Sequence, residues 1–297
     1  MPVSKDKKTI YGEQSRTILV TGGAGFIGSH LIEQLVKDKN NKVISLDNYF
    51  TGSKDNHIAG AEYREGHTKD IEKHIPETPD VIYHLGEYSR IARSIDEPEI
   101  VFDLNMIGTF WVLEYWRARK CKLVYAGSST KFTSADKSPY SWSKAANSDL
   151  VSNYGKWFGL PYSTAYFYNV YGPKERADWK TGYGTVIETF KQKYLSGLPC
   201  EVNAPGTQTR AFTHVDDTID GLILIGEKGE PDEYAICAKE VYSLLDVAKM
   251  FGCEVIMKPQ TKTSRSSGAD DTSKLEALGW RQKHKLEEYI GEIKRQK

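Results

Sequence analysis

The sequence predicts an α/β fold, in which a doubly wound parallel sheet with helices on both faces is joined to a smaller C-terminal α+β part. Short apolar runs at residues 17–20, 42–46, 80–85 and 122–126 alternate with longer amphipathic stretches, a pattern typical of successive βαβ units. The runs are rich in β-branched residues and apolar along their whole length, as expected of strands covered on both faces. After residue 172 the alternation loosens, and glycine and proline become frequent.

Composition narrows the possible function classes. The 297 residues include 40 basic and 40 acidic side chains, which give a formal net charge of zero, so no global field favours nucleic acid or an anionic membrane as a partner. No apolar stretch is long enough to span a bilayer. The four cysteines show no Cys-x-x-Cys or metal-type spacing, so we expect reduced thiols, no bound metal and a cytoplasmic location.

The first predicted strand, 17–20, leads directly into a glycine-rich turn. Gly23, Gly25 and Gly28 satisfy Gly-x-Gly-x-x-Gly, and a helix is predicted over 29–37. Glycines at such a turn let backbone amides approach a pyrophosphate, which the N-terminus of the next helix attracts. The pattern predicts a Rossmann-type dinucleotide site, although a purely structural turn is the alternative. The expected cofactor contacts here are Gly22, Gly25, Phe26, Ile27 and Gly28.

The second predicted strand, 42–46, is followed by an acidic residue. Asp47 stands nineteen positions after Gly28, where a carboxylate accepts hydrogen bonds from the adenosine ribose hydroxyls. The same carboxylate repels a 2′-phosphate, so the sequence predicts NAD rather than NADP. The alternative is that Asp47 is a turn residue before Asn48.

The fourth predicted strand, 122–126, ends in a Ser-rich stretch, and a helix is predicted over 140–158. At the start of this helix Tyr140 and Lys144 are four residues apart, which places them on one helix face. Free tyrosine has a pKa of about 10, and a nearby ammonium favours its phenolate. The pair therefore predicts an acid/base centre, but by itself it arises easily by chance.

The chain is predicted to divide into two folded parts. Residues 1–15 are expected to be a loose tail and 16–169 a Rossmann domain, to which a segment around 211–236 returns. Residues 170–210 and 237–297, including a helix near 186–196, are expected to form a substrate-binding domain.

Several segments together resemble the extended short-chain dehydrogenase/reductase family, specifically its NAD-dependent nucleotide-sugar epimerases and dehydratases. The resemblance runs from about residue 16 to 286 and is greatest to the relatives of UDP-glucose 4-epimerase. It is carried by residues 21–30, 46–48, 105–109, the Tyr140/Lys144 pair, 169–173 and 206–217.

The resemblance implies a reaction and a catalytic group. A bound NAD would take hydride from C4 of a nucleotide-linked hexose, and the 4-keto sugar would turn and receive hydride on its other face. Tyr140 would be the general base and later acid, and Lys144 would hydrogen-bond the nicotinamide ribose. Ser128 would orient the sugar oxygen, with Ser129 as the second choice.

Further contacts are implied in the same way. The implied cofactor contacts are Asn48, His67, Leu85, Asn105 and Lys144. The implied substrate contacts, besides Ser128, are Asn169, Arg210 and Arg265, since a guanidinium binds diphosphate oxygens bidentately. Glu87 stands near the expected nicotinamide half, where it faces either substrate or solvent.

Two departures from the family pattern bear on the reaction. Ser128 and Tyr140 are only twelve positions apart, which indicates a shortened loop over the sugar. Dehydratases of the family carry Asp-Glu where this chain has Ser129 and Thr130, so dehydration is disfavoured. We therefore expect C4 epimerisation of a nucleotide-diphosphate sugar. The alternatives are a net oxidoreductase, a dehydratase, an epimerase at another carbon, or a non-catalytic NAD-binding regulatory protein.

The predicted helices over 98–119 and 140–158 are rich in large aromatic residues. In relatives these two helices form a four-helix dimer interface, and aromatic side chains are enriched at interfaces. We expect a homodimer, with core packing of the aromatics as the alternative. The aromatic residues are Phe110, Trp111, Trp116, Trp142, Trp157 and Phe158.

Overall fold

A computed structural model describes residues 15–177, 184–261 and 266–296. Its largest sheet has seven strands in the order β3-β2-β1-β4-β5-β6-β9, and every neighbouring pair in it is parallel. The strands are β1 Arg16–Thr21, β2 Asn41–Asp47, β3 Ala61–Glu65, β4 Val81–His84, β5 Lys122–Ser128, β6 Tyr162–Phe167, β7 Cys200–Asn203, β8 Thr209–Ala211, β9 Glu233–Ile236, β10 Val241–Ser243 and β11 Val255–Lys258.

Helices cover both faces of this sheet. The α-helices are α1 Phe26–Leu35, α2 Ile71–His74, α3 Pro98–Val101, α4 Gly108–Arg119, α5 Thr130–Thr133, α6 Pro139–Phe158, α7 Val186–Leu195, α8 Val215–Lys228, α9 Leu244–Phe251, α10 Ser273–Ala277 and α11 Leu286–Gln296. The predicted fold class is therefore confirmed. The strand order reverses between β1 and β4, and ligands of doubly wound sheets bind at such a point.

Two apolar layers hold the helices to the sheet. On one face α1 and α8 pack on strand side chains such as Val20 and Val81. On the other face Trp116 of α4 is fully buried beside Tyr125 of β5, and its indole Nε1 donates to the Cys121 carbonyl at 2.8 Å. The strands are apolar throughout because both faces are covered, which is why their pattern could be recognised in the sequence.

A third core lies in the C-terminal half. It joins α7, α9 and α11 to β7 and includes Phe190, Val202 and Phe251. Leu275 and Trp280, which fall in the segment predicted for the substrate domain, pack instead in the core of the large sheet. The exact division into domains stays a prediction.

The segment predicted as one helix over 98–119 is interrupted. A π-helical stretch, Phe102–Ile107, separates α3 from α4. Such a stretch accommodates an extra residue in a helical turn and is often found beside functional sites. Here it carries Asn105 inward, where the amide Oδ1 accepts from the Tyr88 backbone N–H at 2.6 Å.

The start of α8 fixes the C-terminal segment. The buried carboxylate of Asp217 accepts hydrogen bonds from the backbone N–H groups of Lys283 and His284, at 3.1 and 3.0 Å, and lies 2.9 Å from Nδ1 of His284. The rings of His214 and His284 stack with centroids 4.4 Å apart. Throughout the described ranges, every helix is too short or too polar to cross a membrane.

Candidate active site

One cleft lies at the carboxyl ends of β1, β2, β4, β5 and β6. Because the strands are parallel, the loops that follow them meet at the same edge of the sheet. The predicted site residues that line this cleft are Gly22, Gly25, Phe26, Ile27, Gly28, Asp47, Asn48, Leu85, Glu87, Ser128, Ser129, Tyr140, Lys144 and Asn169.

The glycine turn leaves no room for side chains. A Cβ added to Gly28 would lie 2.2 Å from the Gly22 carbonyl oxygen. Gly22 itself has φ +72°, and its Cβ would lie 2.8 Å from Cα of Gly86. Helix α1 begins after Gly25, which has no side chain to cap the first amides, and its first residues line the cleft. This geometry fits a pyrophosphate.

Asp47 is held as a hydrogen-bond acceptor at the end of β2. Its carboxylate accepts from the backbone N–H groups of Ala24 and Tyr49, at 2.9 and 2.8 Å. Burial raises the pKa of Asp47, and these two hydrogen bonds oppose that rise. A buried acceptor at this place fits the ribose hydroxyls of NAD.

The start of α6 places the Tyr140/Lys144 pair on the cleft. Ser138 caps the helix by accepting from the Ser141 N–H at 3.1 Å, and Pro139 occupies the first helical position, both typical of a helix N-terminus. Tyr140 therefore lies in the first turn, with Lys144 one turn later, and both line the cleft.

Ser128 ends β5 opposite this pair. Its Oγ accepts from the backbone N–H and the Oγ1 hydroxyl of Thr130, at 3.3 and 3.0 Å. A hydroxyl has a single hydrogen to donate, and no acceptor within the described ranges takes the hydrogen of Ser128. Ser129, the second choice, is also buried in the cleft wall.

Glu87 forms the inner wall of the cleft and pairs with Lys144. The two side chains are 3% and 6% exposed, and the Lys144 ammonium donates to Oε2 of Glu87. Burial alone would raise the pKa of Glu87, but the charge of Lys144 and the surrounding donors lower it on balance. The sequence left open whether Glu87 faces substrate or solvent. In the structure its carboxylate is buried against Lys144.

Three predicted site residues within the described ranges are not among those that line the cleft. Asn105 is buried behind its wall, where its amide donates to Oγ of Ser143 at 2.9 Å. His67 lies 3.0 Å from Asp103 and borders a neighbouring cavity together with Asn48. Arg210 lies on β8, and its guanidinium donates to the Thr209 carbonyl at 3.3 Å. Arg265 falls outside the described residues.

The loop after β6 contributes residues that sequence reasoning missed. Lys174, Glu175 and Arg176 line the cleft, directly after the 169–173 motif, and that adjacency was the available signal. Lys174 pairs with Glu33 of α1 at 2.6 Å, and Arg176 pairs with Asp55 at 2.8 Å. These two ion pairs tie the loop to the glycine-turn half of the site.

Glu175 lies between these two ion pairs and is itself buried. Its carboxylate accepts from the backbone N–H and the hydroxyl of Thr185, at 3.2 and 2.9 Å. Burial raises its pKa to about 7, against the lowering effect of Thr185 and Arg90. The cleft thus contains a carboxyl group that can change its charge near neutral pH.

Comparison with known proteins agrees with this geometry. Residues 18–237 match the sequence profile of the NAD-dependent epimerase/dehydratase family. The chain belongs to this family. It is accordingly an enzyme of the NAD-dependent epimerase/dehydratase family, an extended short-chain dehydrogenase/reductase, and NAD is its cofactor, as the glycine turn and Asp47 predicted.

The relatives of this chain are named for different reactions. A UDP-glucuronic acid decarboxylase of Arabidopsis thaliana is 30% identical, over 93% of this chain and 87% of its own. The UDP-glucose 4-epimerase of Thermotoga maritima, solved with UDP-glucose, is 26% identical with a TM-score of 0.85, over 94% of this chain and 99% of its own. The NAD complex of the Thermus thermophilus UDP-glucose 4-epimerase is 28% identical with a TM-score of 0.81, over 92% and 96% of the two chains.

Proposed function

We propose that this family member inverts C4 of a nucleotide-diphosphate hexose through a transient 4-keto sugar. The observation that supports it is the meeting of Ser128, Tyr140 and Lys144 in the cleft that also holds the glycine turn and Asp47. The likeness to two solved 4-epimerases supports the same reaction.

Each residue has a defined task in this proposal. Ser128 donates its free hydrogen to the oxygen on C4 and orients the sugar, and Tyr140 removes the proton from that hydroxyl and later returns it. Lys144 supplies the positive charge that favours the phenolate. The glycine turn and Asp47 would hold NAD, which would supply the acceptor and donor for the C4 hydride. Asn169, on the cleft wall, is proposed to donate to the diphosphate.

Two further substrate contacts stay predictions. Arg210 is proposed to bind a diphosphate oxygen from β8, and Arg265 to do so from the C-terminal part. Glu87 is not proposed as a substrate contact, because its carboxylate is occupied by Lys144 and three other donors. His67 is proposed to face the adenine from the neighbouring cavity.

The residues after Ser128 weigh against dehydration. Ser129 and Thr130 are hydroxyls and cannot replace a carboxyl pair that expels water. Decarboxylation is the second candidate, because the 30% identical Arabidopsis relative bears that name. Oxidation of a uronic acid at C4 places a ketone β to its carboxylate. The group of Ser128, Tyr140 and Lys144 that serves this oxidation would therefore also begin a decarboxylation.

The proposal is tested by incubating the enzyme with UDP-, GDP-, CDP- and dTDP-linked hexoses and hexuronates. We expect NMR to show C4 inversion of one hexose, and Tyr140→Phe to reduce turnover by a factor of about 100 or more while NAD stays bound. Release of CO₂ from a hexuronate would support decarboxylation instead. Unchanged turnover in Tyr140→Phe would overturn the catalytic assignment, and no turnover of any sugar would support a regulatory role.

We also propose that the enzyme is a homodimer in the cytoplasm. Helices α4 and α6 present exposed aromatic side chains, among them Trp111 and Trp157, which are 47% and 63% exposed. Trp116, by contrast, is fully buried, so core packing explains only part of the aromatic content. An apolar surface of this kind is typical of a protein interface.

A further inference from the structure

The buried carboxylate of Glu87 is surrounded by hydrogen-bond donors from three elements. Oε1 accepts from Thr109 of α4 at 2.8 Å, Tyr125 of β5 at 3.1 Å and Asn147 of α6 at 2.8 Å. Oε2 accepts from the Lys144 ammonium. All four partners donate hydrogen bonds. Such surroundings fit a carboxylate, which only accepts, and not an amide or a neutral acid, which also donates.

A directed chain of hydrogen bonds leads to this carboxylate from β1. Because Thr109 donates to Glu87, its Oγ1 can only accept from Nε2 of His84, at 2.9 Å. His84 then carries its hydrogen on Nε2, and Nδ1 accepts from the hydroxyl of Thr21 at 2.7 Å. Burial lowers the pKa of His84 to about 4, so the ring is neutral, as the chain requires.

The same surroundings restrict the Lys144 ammonium. It has three N–H groups, of which one donates to Glu87 and another to the Ala126 carbonyl. Its Nζ lies 4.5 Å from the centroid of the Tyr125 ring. Lys144 also lines the cleft, and within the described residues its ammonium donates hydrogen bonds to these two oxygens alone.

We propose that Glu87 is a positioning residue for Lys144, which anchors the ammonium at the cleft wall and directs its remaining N–H to the nicotinamide ribose. Glu87 keeps this contact when NAD is bound, so cofactor binding uses the free N–H and does not break the ion pair. This role of Glu87 concerns NAD binding and does not rest on the proposed epimerase function.

The alternative is that Glu87 is a structural group that could be replaced by any side chain filling its space. Glu87→Gln separates the two. Glutamine has nearly the same shape, but its amide NH₂ group is a hydrogen-bond donor. In either orientation this NH₂ would face another donor, which is Lys144 or the three partners of Oε1. Glu87→Asp keeps the charge. Glu72→Gln is a matched control, because Glu72 also pairs with a cation, Arg119, but is 64% exposed.

NAD titration of these variants tests the proposal. We expect Glu87→Gln to weaken NAD binding by a factor of about 10. Glu87→Asp should restore most of the affinity, and Glu72→Gln should match the wild type.

A crystal structure of the wild-type protein with NAD gives a test that needs no variant. We expect Nζ of Lys144 within about 3.2 Å of both Glu87 Oε2 and a ribose hydroxyl. Wild-type NAD affinity in a folded Glu87→Gln protein would overturn the proposal, as would a lysine that leaves Glu87 in the NAD complex. Failure of the epimerase assay would not affect either test, because NAD affinity and the Lys144–Glu87 contact do not depend on the sugar.

Discussion

At the level of single residues, two buried carboxyl groups in the cleft have opposite electrostatic surroundings. Glu87 faces Lys144 and three further donors, and its pKa is lowered although it is buried. Glu175 accepts hydrogen bonds from the backbone N–H and the hydroxyl of Thr185, and burial raises its pKa to about 7. The balance between desolvation and a nearby cation decides which carboxyl is ionised in the folded protein.

Glu175 gives a prediction about stability and pH. Its folded-state pKa of about 7 lies above the ordinary value of 4.5, so ionisation disfavours the folded state. Stability is therefore lost as the pH rises from about 4.5 to 7, by up to about 3 kcal/mol, and the loss is constant above that range. Glu175→Gln cannot ionise and should lack this loss.

Urea unfolding at about pH 5 and pH 8 measures this effect. The free energy of unfolding of Glu175→Gln, relative to wild type, should be higher at pH 8 than at pH 5. The exposed control Glu72→Gln should show no such difference. Parallel pH dependence in wild type and Glu175→Gln would contradict the electrostatic account of this residue.

The sequence allowed some of these residues to be predicted and not others. Tyr140 and Lys144 are four positions apart on one helix, and Ser128 follows the predicted strand 122–126, so local spacing together with the family resemblance led to these three residues. The partners of Glu87 come from α4, β5 and α6. Its buried position depends on how these elements pack, and no local pattern in the sequence contains that information.

At the level of elements, the turn between β1 and α1 is determined by steric exclusion. A methyl group on Gly28 would lie 2.2 Å from the carbonyl oxygen of Gly22, which forces the turn and the helix apart. We expect Gly28→Ala to destabilise the protein by about 1–3 kcal/mol and to weaken NAD binding. A Cβ on Gly268 would meet no atom within 4 Å, so Gly268→Ala is the matched control.

Thermal melting and NAD titration of the two alanine variants test this account. Gly28→Ala should lower both the melting temperature and the NAD affinity, whereas Gly268→Ala should leave both unchanged. Equal NAD affinity in all three proteins would show that the turn does not contact the cofactor. The glycine pattern made this element predictable from sequence, because the steric requirement is local.

The interrupted helix before β5 was not predictable in the same way. The sequence indicated one helix over 98–119, and the periodicity of its apolar residues does not identify the π-helical stretch Phe102–Ile107. That stretch is stabilised by tertiary contacts, such as those of Asn105 with Tyr88 and Ser143. Strand β3 is also difficult to recognise, because its sequence includes the polar residues Glu62 and Arg64.

At the level of the whole molecule, the exposed aromatics of α4 and α6 bear on assembly. We expect the double variant Trp111→Glu, Trp157→Glu to be monomeric, because burying two carboxylates in an apolar interface costs several kcal/mol. Met257 is as exposed as Trp111, at 47%, but lies on β11. Met257→Glu should therefore remain dimeric.

Light scattering at micromolar protein concentration gives the masses of these proteins. The wild type and Met257→Glu should have twice the mass of the chain, 33.5 kDa, and the double variant should have the mass of one chain. A wild-type mass of one chain would contradict the proposed homodimer. The exposed fraction of these side chains could not be read from sequence, since Trp116 on the same helix is buried.

The centre of the large sheet, strands β1, β2, β4 and β5, was predictable from sequence, but the chemistry of the sugar was not. Continuous apolar strands and the glycine turn are local signals, whereas the cleft combines Glu87, Asn169 and the loop from Lys174 to Arg176, which come from distant parts of the chain. The family therefore follows from the sequence, and the individual reaction requires an experiment.

The central claim is that hydride leaves C4 of a nucleotide-linked hexose and returns to the same carbon. The most direct measurement is NMR of the substrate and product after equilibration with the enzyme in D₂O. The account predicts two C4 epimers, both with hydrogen at C4 and no deuterium at any carbon. Deuterium at a sugar carbon, or a product that has lost water or CO₂, would contradict it.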